Sequence, residues 1–200
     1  METQKTQSRE KLIKLVVAAM FTALVFLGTR FIAIPAPVFG YLNIGDCFIL
    51  IAAWILGPVY GFAAGAVGSA LGDLAWGAFL YIPGTFVIKG LMAVAASLIA
   101  HVFVKRNERL RIPAFVVSGI AAELIMAFGY FFYEGAVLFG TGLYTDETVE
   151  SVGSFAAAAL NMPMNLTQGA IGLALGLVLA IIFAQTRLLK KVHYDYSYAM

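Results

Sequence analysis

Long apolar segments alternate with short polar ones along most of the chain. These segments cover residues 12–31, 42–74, 85–104, 113–135 and 162–189. A membrane-spanning helix needs about 20 such residues, so each segment is long enough to cross a bilayer. The segment 42–74 is too long for one comfortable span, and Gly57-Pro58 interrupts it. The pattern therefore predicts five or six membrane helices.

The positions of the positive charges decide how often segment 42–74 crosses. All of the 13 lysine and arginine residues except Arg30 and Lys89 lie in three groups, at 5–14, 105–111 and 187–191. Such residues concentrate in cytoplasmic loops, and only two crossings place all three groups on one side. We therefore predict an all-α integral membrane protein, a six-transmembrane-helix bundle with both termini cytoplasmic. Residues 1–200 form a single membrane domain with helices at about 12–31, 44–56, 58–74, 85–104, 113–135 and 162–189.

The composition agrees with this class and excludes others. Apolar residues make up 62% of the chain and charged residues 12%, whereas soluble domains have roughly 45–50% and about 25%. An ordinary soluble domain, a disordered chain and a basic nucleic-acid binder are thereby excluded. One cysteine, Cys47, excludes an internal disulfide, and with only two histidines we expect no metal site and no cofactor.

Small residues recur on single faces of the predicted helices. Helix 3 carries glycines spaced 4, 3 and 4 residues apart, and helix 6 carries a glycine pair: Gly61, Gly65, Gly68, Gly72, Gly172 and Gly176. Such faces let another helix backbone approach closely, so we predict packing within the bundle. Ala19 and Ala23 form a similar pair on helix 1, which would serve either the same packing or the docking of a partner.

Polar side chains within the predicted helices concentrate in the outer half of the membrane. Burying such groups in hydrocarbon is costly, so their convergence requires a reason. We expect a pocket open to the outside for a small, flat, polar ligand, with aromatic rings available for stacking. The substrate-binding candidates are Asn43, Trp76, Tyr81, Lys89, Glu123, Tyr130, Glu134, Asn161, Asn165 and Gln168.

Five of the candidates also have a structural interpretation. Lys89 would pair with Asp46 or Asp73, and Glu123 would make a buried contact between helices. Asn161 would cap helix 6, whose first turn would hold Pro163. Asn165 and Gln168 would join helices, while Arg30 and Tyr41 would anchor the membrane interface.

Motifs of energy-coupled or enzymatic chemistry are missing from the sequence. It contains no P-loop and no H-E-x-x-H segment, and the topology puts Ser69 and His101 on opposite sides of the bilayer. We therefore expect a capture protein without catalysis, for which other subunits supply energy. A self-sufficient transporter or exporter working as an oligomer is the alternative, and a lipid-acting membrane enzyme is a third class.

Five stretches resemble the substrate-binding S subunits of energy-coupling-factor (ECF) vitamin transporters. They are 40–46 (GYLNIGD), 56–73 (LGPVYGFAAGAVGSALGD), 83–90 (PGTFVIKG), 129–134 (GYFFYE) and 163–168 (PMNLTQ). Their order and spacing are similar to the branch of riboflavin, pyridoxine and hydroxymethylpyrimidine S subunits.

The resemblance implies a cell-membrane protein that binds a vitamin or vitamin precursor from outside. It implies association with a membrane coupling (T) subunit and two ATPase subunits, and toppling in the membrane to release the ligand inward. The A-x-x-x-A pattern at Ala19 and Ala23 matches the family's contact with the coupling subunit. Residues that occupy places matching the family's ligand pocket are Lys89, Tyr130, Glu134, Asn161, Asn165 and Gln168.

Overall fold

The computed structural model describes residues 2–35 and 40–185, and it is built almost wholly from helices. The helices are α1 (Glu2–Phe31), α2 (Gly45–Leu56), α3 (Pro58–Trp76), α4 (Ile82–Arg106), α5 (Arg111–Phe132), α6 (Glu147–Val152) and α7 (Ser154–Gln185). A 3-10 turn, Glu108–Leu110, precedes α5, and a π-helical segment, Tyr133–Phe139, extends it. The predicted positive group at 187–191 lies outside the described residues.

Four helical segments among the described residues are long and apolar enough to cross a membrane. They are Ser8–Phe31, Ile82–Arg106, Arg111–Phe139 and Ser154–Phe183. The prediction of an all-α integral membrane protein is confirmed. Two short antiparallel strands, β1 (Ala33–Pro35) and β2 (Tyr41–Asn43), add a small hairpin to the predicted connection between the first two helices.

The last long helix begins earlier than the sequence predicts. The run of alanines at 156–159 favours helix, so α7 starts at Ser154, and Gly153 with φ +87° separates it from α6. Two expectations are therefore wrong. Pro163 lies inside the helix rather than in its first turn, and Asn161 is not a helix cap.

α2 is the central element of the bundle although it has only 12 residues. All of its residues except Phe48 and Ile55 are buried, because α1, α3, α4 and α7 surround it. Trp54 stacks on Phe115 of α5 with 4.5 Å between ring centroids, and its indole nitrogen donates to Ser118 Oγ at 3.0 Å. Burial on nearly all sides explains why this helix is apolar from Cys47 to Leu56.

The glycine faces pack as the sequence predicts. A β-carbon on Gly68 of α3 would lie 2.7 Å from the carbonyl oxygen of Thr22 on α1, and one on Gly61 would lie 2.8 Å from Ala53 on α2. On α7, a β-carbon on Gly172 would lie 2.8 Å from Asp46 Cβ. These distances are too short for any side chain, so close backbone approach holds the helices together.

Substituting Gly68 with alanine should destabilise the bundle by about 1–3 kcal/mol, because the added methyl group overpacks the contact between α1 and α3. At an unconstrained helix position the same change stabilises the protein by about 1 kcal/mol. The sign of the change in stability therefore shows whether Gly68 is tightly packed. Thermal unfolding in detergent measures it, with Ala63→Leu on the exposed face of α3 as the control. An unchanged or higher melting temperature for Gly68→Ala would contradict the packing described here.

Candidate ligand-binding cavity

A cavity of about 350 Å³ lies at one end of the bundle. This is the end at which α3 and α5 finish and α2, α4 and α7 begin. Its volume is within the range of small-molecule sites, about 300–1,000 Å³. Eight of the ten predicted substrate-binding residues line it: Asn43, Tyr81, Lys89, Tyr130, Glu134, Asn161, Asn165 and Gln168.

Asp46 at the start of α2 organises one part of the cavity wall without lining the cavity itself. One of its carboxylate oxygens forms an ion pair with Lys89 of α4, and the other accepts from Gln168 Nε2 of α7 at 2.7 Å. Gln168 Oε1 in turn accepts from the backbone nitrogen of Asn43 at 2.9 Å. These side chains are all buried. We call this set the Asp46 network. Of the two carboxylates that the sequence offered as partners of Lys89, Asp46 and Asp73, the ion pair is with Asp46.

Glu134 organises a second part of the wall. Its Oε1 accepts from the hydroxyl of Tyr81 at 3.0 Å, and its Oε2 accepts from Asn161 Nδ2 at 3.2 Å. Burial raises the pKa of Tyr81, so this phenol stays protonated and donates. Glu134 lies in the π-helical segment, a wide turn that often occurs at functional sites. We call these three residues the Glu134 network.

Six further polar residues, which the sequence analysis did not propose as substrate-binding, also line the cavity: Thr29, Tyr41, Ser69, Asp73, Thr85 and Tyr144. The hydroxyl of Tyr41 donates to Asp73 Oδ1, and Thr85 Oγ1 lies 3.0 Å from the hydroxyl of Tyr130. Tyr41, which we expected to anchor the interface, sits on the short hairpin, and burial raises its pKa. The signal that could have found Asp73 was its charge at the outer end of an apolar helix.

Two tyrosine rings, inclined to each other by 53°, line part of the cavity. The rings of Tyr81 and Tyr130 lie 6.2 Å apart, and Tyr133, outside the lining, packs 6.4 Å from Tyr81. Lys89 Nζ lies 5.5 Å from the centre of the Tyr130 ring, within the range of a cation–π contact. The mixture of phenols, amides and charged groups suits a flat ligand with polar edges.

Trp76 and Glu123, two predicted substrate-binding residues, do not line the cavity. Trp76 is 39% exposed and stacks on Tyr41 with 5.2 Å between ring centroids, because the last turn of α3 directs it outward. Glu123 is buried deeper in the bundle, where a β-carbon on Gly172 of α7 would lie 3.0 Å from its Oε1. It therefore takes the structural interpretation, a buried contact between helices.

Several buried polar atoms on lining residues have no hydrogen-bond partner among the described residues. They are Thr29 Oγ1, Ser69 Oγ, Asp73 Oδ2, Asn161 Oδ1 and Asn165 Nδ2. Most buried polar atoms in proteins are paired, so this wall retains capacity for hydrogen bonds to a ligand. The described part of the chain contains no group of three His, Cys, Asp or Glu residues that could hold a metal ion.

Ala19 and Ala23 do not line the cavity and lie on the exposed face of α1. Large apolar side chains surround them, including Val16 at 52% and Met20 at 61% exposure. This face does not pack within the bundle, so the interpretation of the alanine pair as an internal packing motif is not supported. It is a lipid-facing surface with a small-residue notch.

Comparisons with known proteins give one family match. A family model described as "ECF-type riboflavin transporter, S component" matches residues 9–185. A segment of 71 residues is 44% identical to a Pyrococcus woesei protein described as an uncharacterised protein in a gap 3′ region. That match covers 33% of this chain and 45% of the relative, so the chain spans less than half of the relative's length. No solved structure matches the chain.

Removing either partner of the buried Lys89–Asp46 pair should destabilise the protein by about 3–5 kcal/mol, because the other charge is left buried and uncompensated. We expect Lys89→Met and Asp46→Asn each to lower the unfolding temperature in detergent strongly. The double variant should recover much of the loss, since it removes both charges. Single variants that unfold at the wild-type temperature would contradict the ion pair.

Proposed function

The chain belongs to the family of S components of ECF-type riboflavin transporters, which are membrane-embedded transport subunits and not enzymes, and from this membership we propose that it captures riboflavin or a closely related flat vitamin from outside the cell. The single observation that carries the proposal for this chain is the cavity. It combines stacking rings, two hydrogen-bonded networks and unpaired buried polar atoms on its wall.

The charge distribution supports an outward-facing cavity. Lys11 and Lys14 near the start of α1 lie at the end of the bundle opposite the cavity, as do Lys105 and Arg106 at the end of α4. The positive-inside rule assigns that end to the cytoplasm. We propose six transmembrane helices with both termini cytoplasmic, in which α2 crosses only part of the bilayer because 12 residues extend about 18 Å.

Delivery of the ligand inward requires energy that this chain does not supply, since its sequence has no P-loop. Membership of the family implies association with a coupling subunit and ATPase subunits. We propose that the exposed face of α1 around Ala19 and Ala23 meets the coupling subunit. Small residues at an apolar surface allow two helix backbones to approach closely, which is how helices associate within membranes.

Purified protein freed of endogenous ligand should bind riboflavin with sub-micromolar affinity in isothermal titration calorimetry. Glu134→Ala and Gln168→Ala should each weaken binding by about 1–3 kcal/mol, because each removes a polar group from the wall. Glu150→Ala, an exposed carboxylate on α6, is the matched control. Failure of riboflavin, pyridoxine and hydroxymethylpyrimidine to bind in this range would overturn the proposal.

Ala19→Trp or Ala23→Trp should block riboflavin uptake by cells that carry the coupling and ATPase subunits, and should leave riboflavin binding unchanged. The reason is that a bulky side chain fills the notch on the exposed face of α1, which does not line the cavity. Ala174→Trp, at an exposed alanine of α7, is the control and should retain uptake. Equal loss of uptake and binding would contradict docking, and uptake into proteoliposomes without partner subunits would support a self-sufficient transporter instead.

A further inference from the structure

The Glu134 network has a fixed direction of hydrogen bonding. Both carboxylate oxygens of Glu134 accept, one from the hydroxyl of Tyr81 and one from the amide of Asn161. Glu134 and Asn161 are each 3% exposed, so water does not compete strongly for these bonds. The carboxylate therefore determines the hydrogen-bond orientation of both neighbouring side chains.

The orientation of the Asn161 amide follows from this arrangement. An asparagine side chain has a donating NH₂ group and an accepting carbonyl oxygen. Because Glu134 presents an acceptor, the NH₂ group must face it, and the reverse orientation would place two acceptors against each other. The carbonyl oxygen Oδ1 is thus turned away from Glu134, and it is buried with no donor among the described residues.

Tyr81 is constrained in the same sense. A phenol has one hydrogen, and Tyr81 donates it to Glu134 Oε1, so any further contact of the hydroxyl oxygen is as an acceptor. Tyr81, Glu134 and Asn161 all line the cavity. Among these three residues, the acceptor without a donor is Asn161 Oδ1. Lys89, by contrast, is a pure donor that also lines the cavity, and its partner Asp46 lies behind it.

We propose that Glu134, by orienting the amide of Asn161, sets the polarity of this part of the cavity, so that Asn161 Oδ1 receives a hydrogen bond from a ring N–H of the ligand. This inference rests on the proposed function, because it specifies how the same cavity recognises a flavin. The ring system of riboflavin carries one N–H, at position N3, between two carbonyl groups. Its ribityl hydroxyls donate and accept equally, so they do not discriminate between an accepting and a donating wall.

The proposal is tested with riboflavin and 3-methylriboflavin, which differ only in a methyl group on N3. We expect wild-type protein to bind riboflavin about tenfold or more tightly than the methylated analogue, since methylation leaves buried acceptors unpaired. In Glu134→Gln the new amide can donate to Asn161, which frees the amide of Asn161 to turn. The preference should then fall close to one.

Asn161→Ala provides a second variant, because it removes the unpaired carbonyl while keeping the Tyr81–Glu134 hydrogen bond. It should also reduce the preference, whereas Glu150→Gln on the exposed face of α6 should keep it. The ratio of two affinities in one variant does not depend on how much protein folds. A wild-type protein that binds both flavins equally, or variants that keep the wild-type preference, would overturn the inference and leave riboflavin capture standing. Absence of riboflavin binding would instead overturn the proposed function.

Discussion

A buried carboxylate at the start of α2 must find hydrogen-bond donors, and the surrounding structure is arranged to provide them. Asp46 is fully buried and receives Lys89 from α4 and Gln168 from α7. Desolvating an ion pair costs several kcal/mol, which is offset only when the remaining lone pairs are also satisfied. The Asp46 network meets this condition and in doing so fixes three helices and the hairpin around one cavity. The lining residues Asn43, Lys89 and Gln168 are held in place by it.

The outline of the fold and most of the cavity could be predicted from the sequence, because membrane burial imposes strong rules on apolar length and polar placement. Trp76 and Glu123 show that helical spacing alone does not predict which residues line a cavity. Glu123 shares a face with Tyr130, but it lies two turns deeper, where glycines of α7 leave room for its carboxylate. Tyr41 was missed because its hairpin depends on backbone pairing between residues 33–35 and 41–43. The early start of α7 depends on the alanine run outweighing the proline that follows it.

The exposed face of α1 and the cavity are separate surfaces of the molecule, and different interactions limit which residues each can contain. Around the cavity, every charged group is held by several elements, so a change there alters the wall as a whole. Ala19 and Ala23 contact none of these groups and lie on a surface of large apolar side chains. Recognition of the ligand and attachment to the energising subunits can therefore vary independently among related chains.

The central position of α2 also constrains how the protein is made. Asp46 precedes Lys89 by 43 residues and Gln168 by 122 residues in the chain. During synthesis Asp46 thus emerges from the ribosome long before Lys89 and Gln168 do. Neither of its two side-chain contacts can form before α4 and then α7 have been synthesised. The Asp46 network is therefore complete only after α7, the last helix described, has been synthesised and packs against α2.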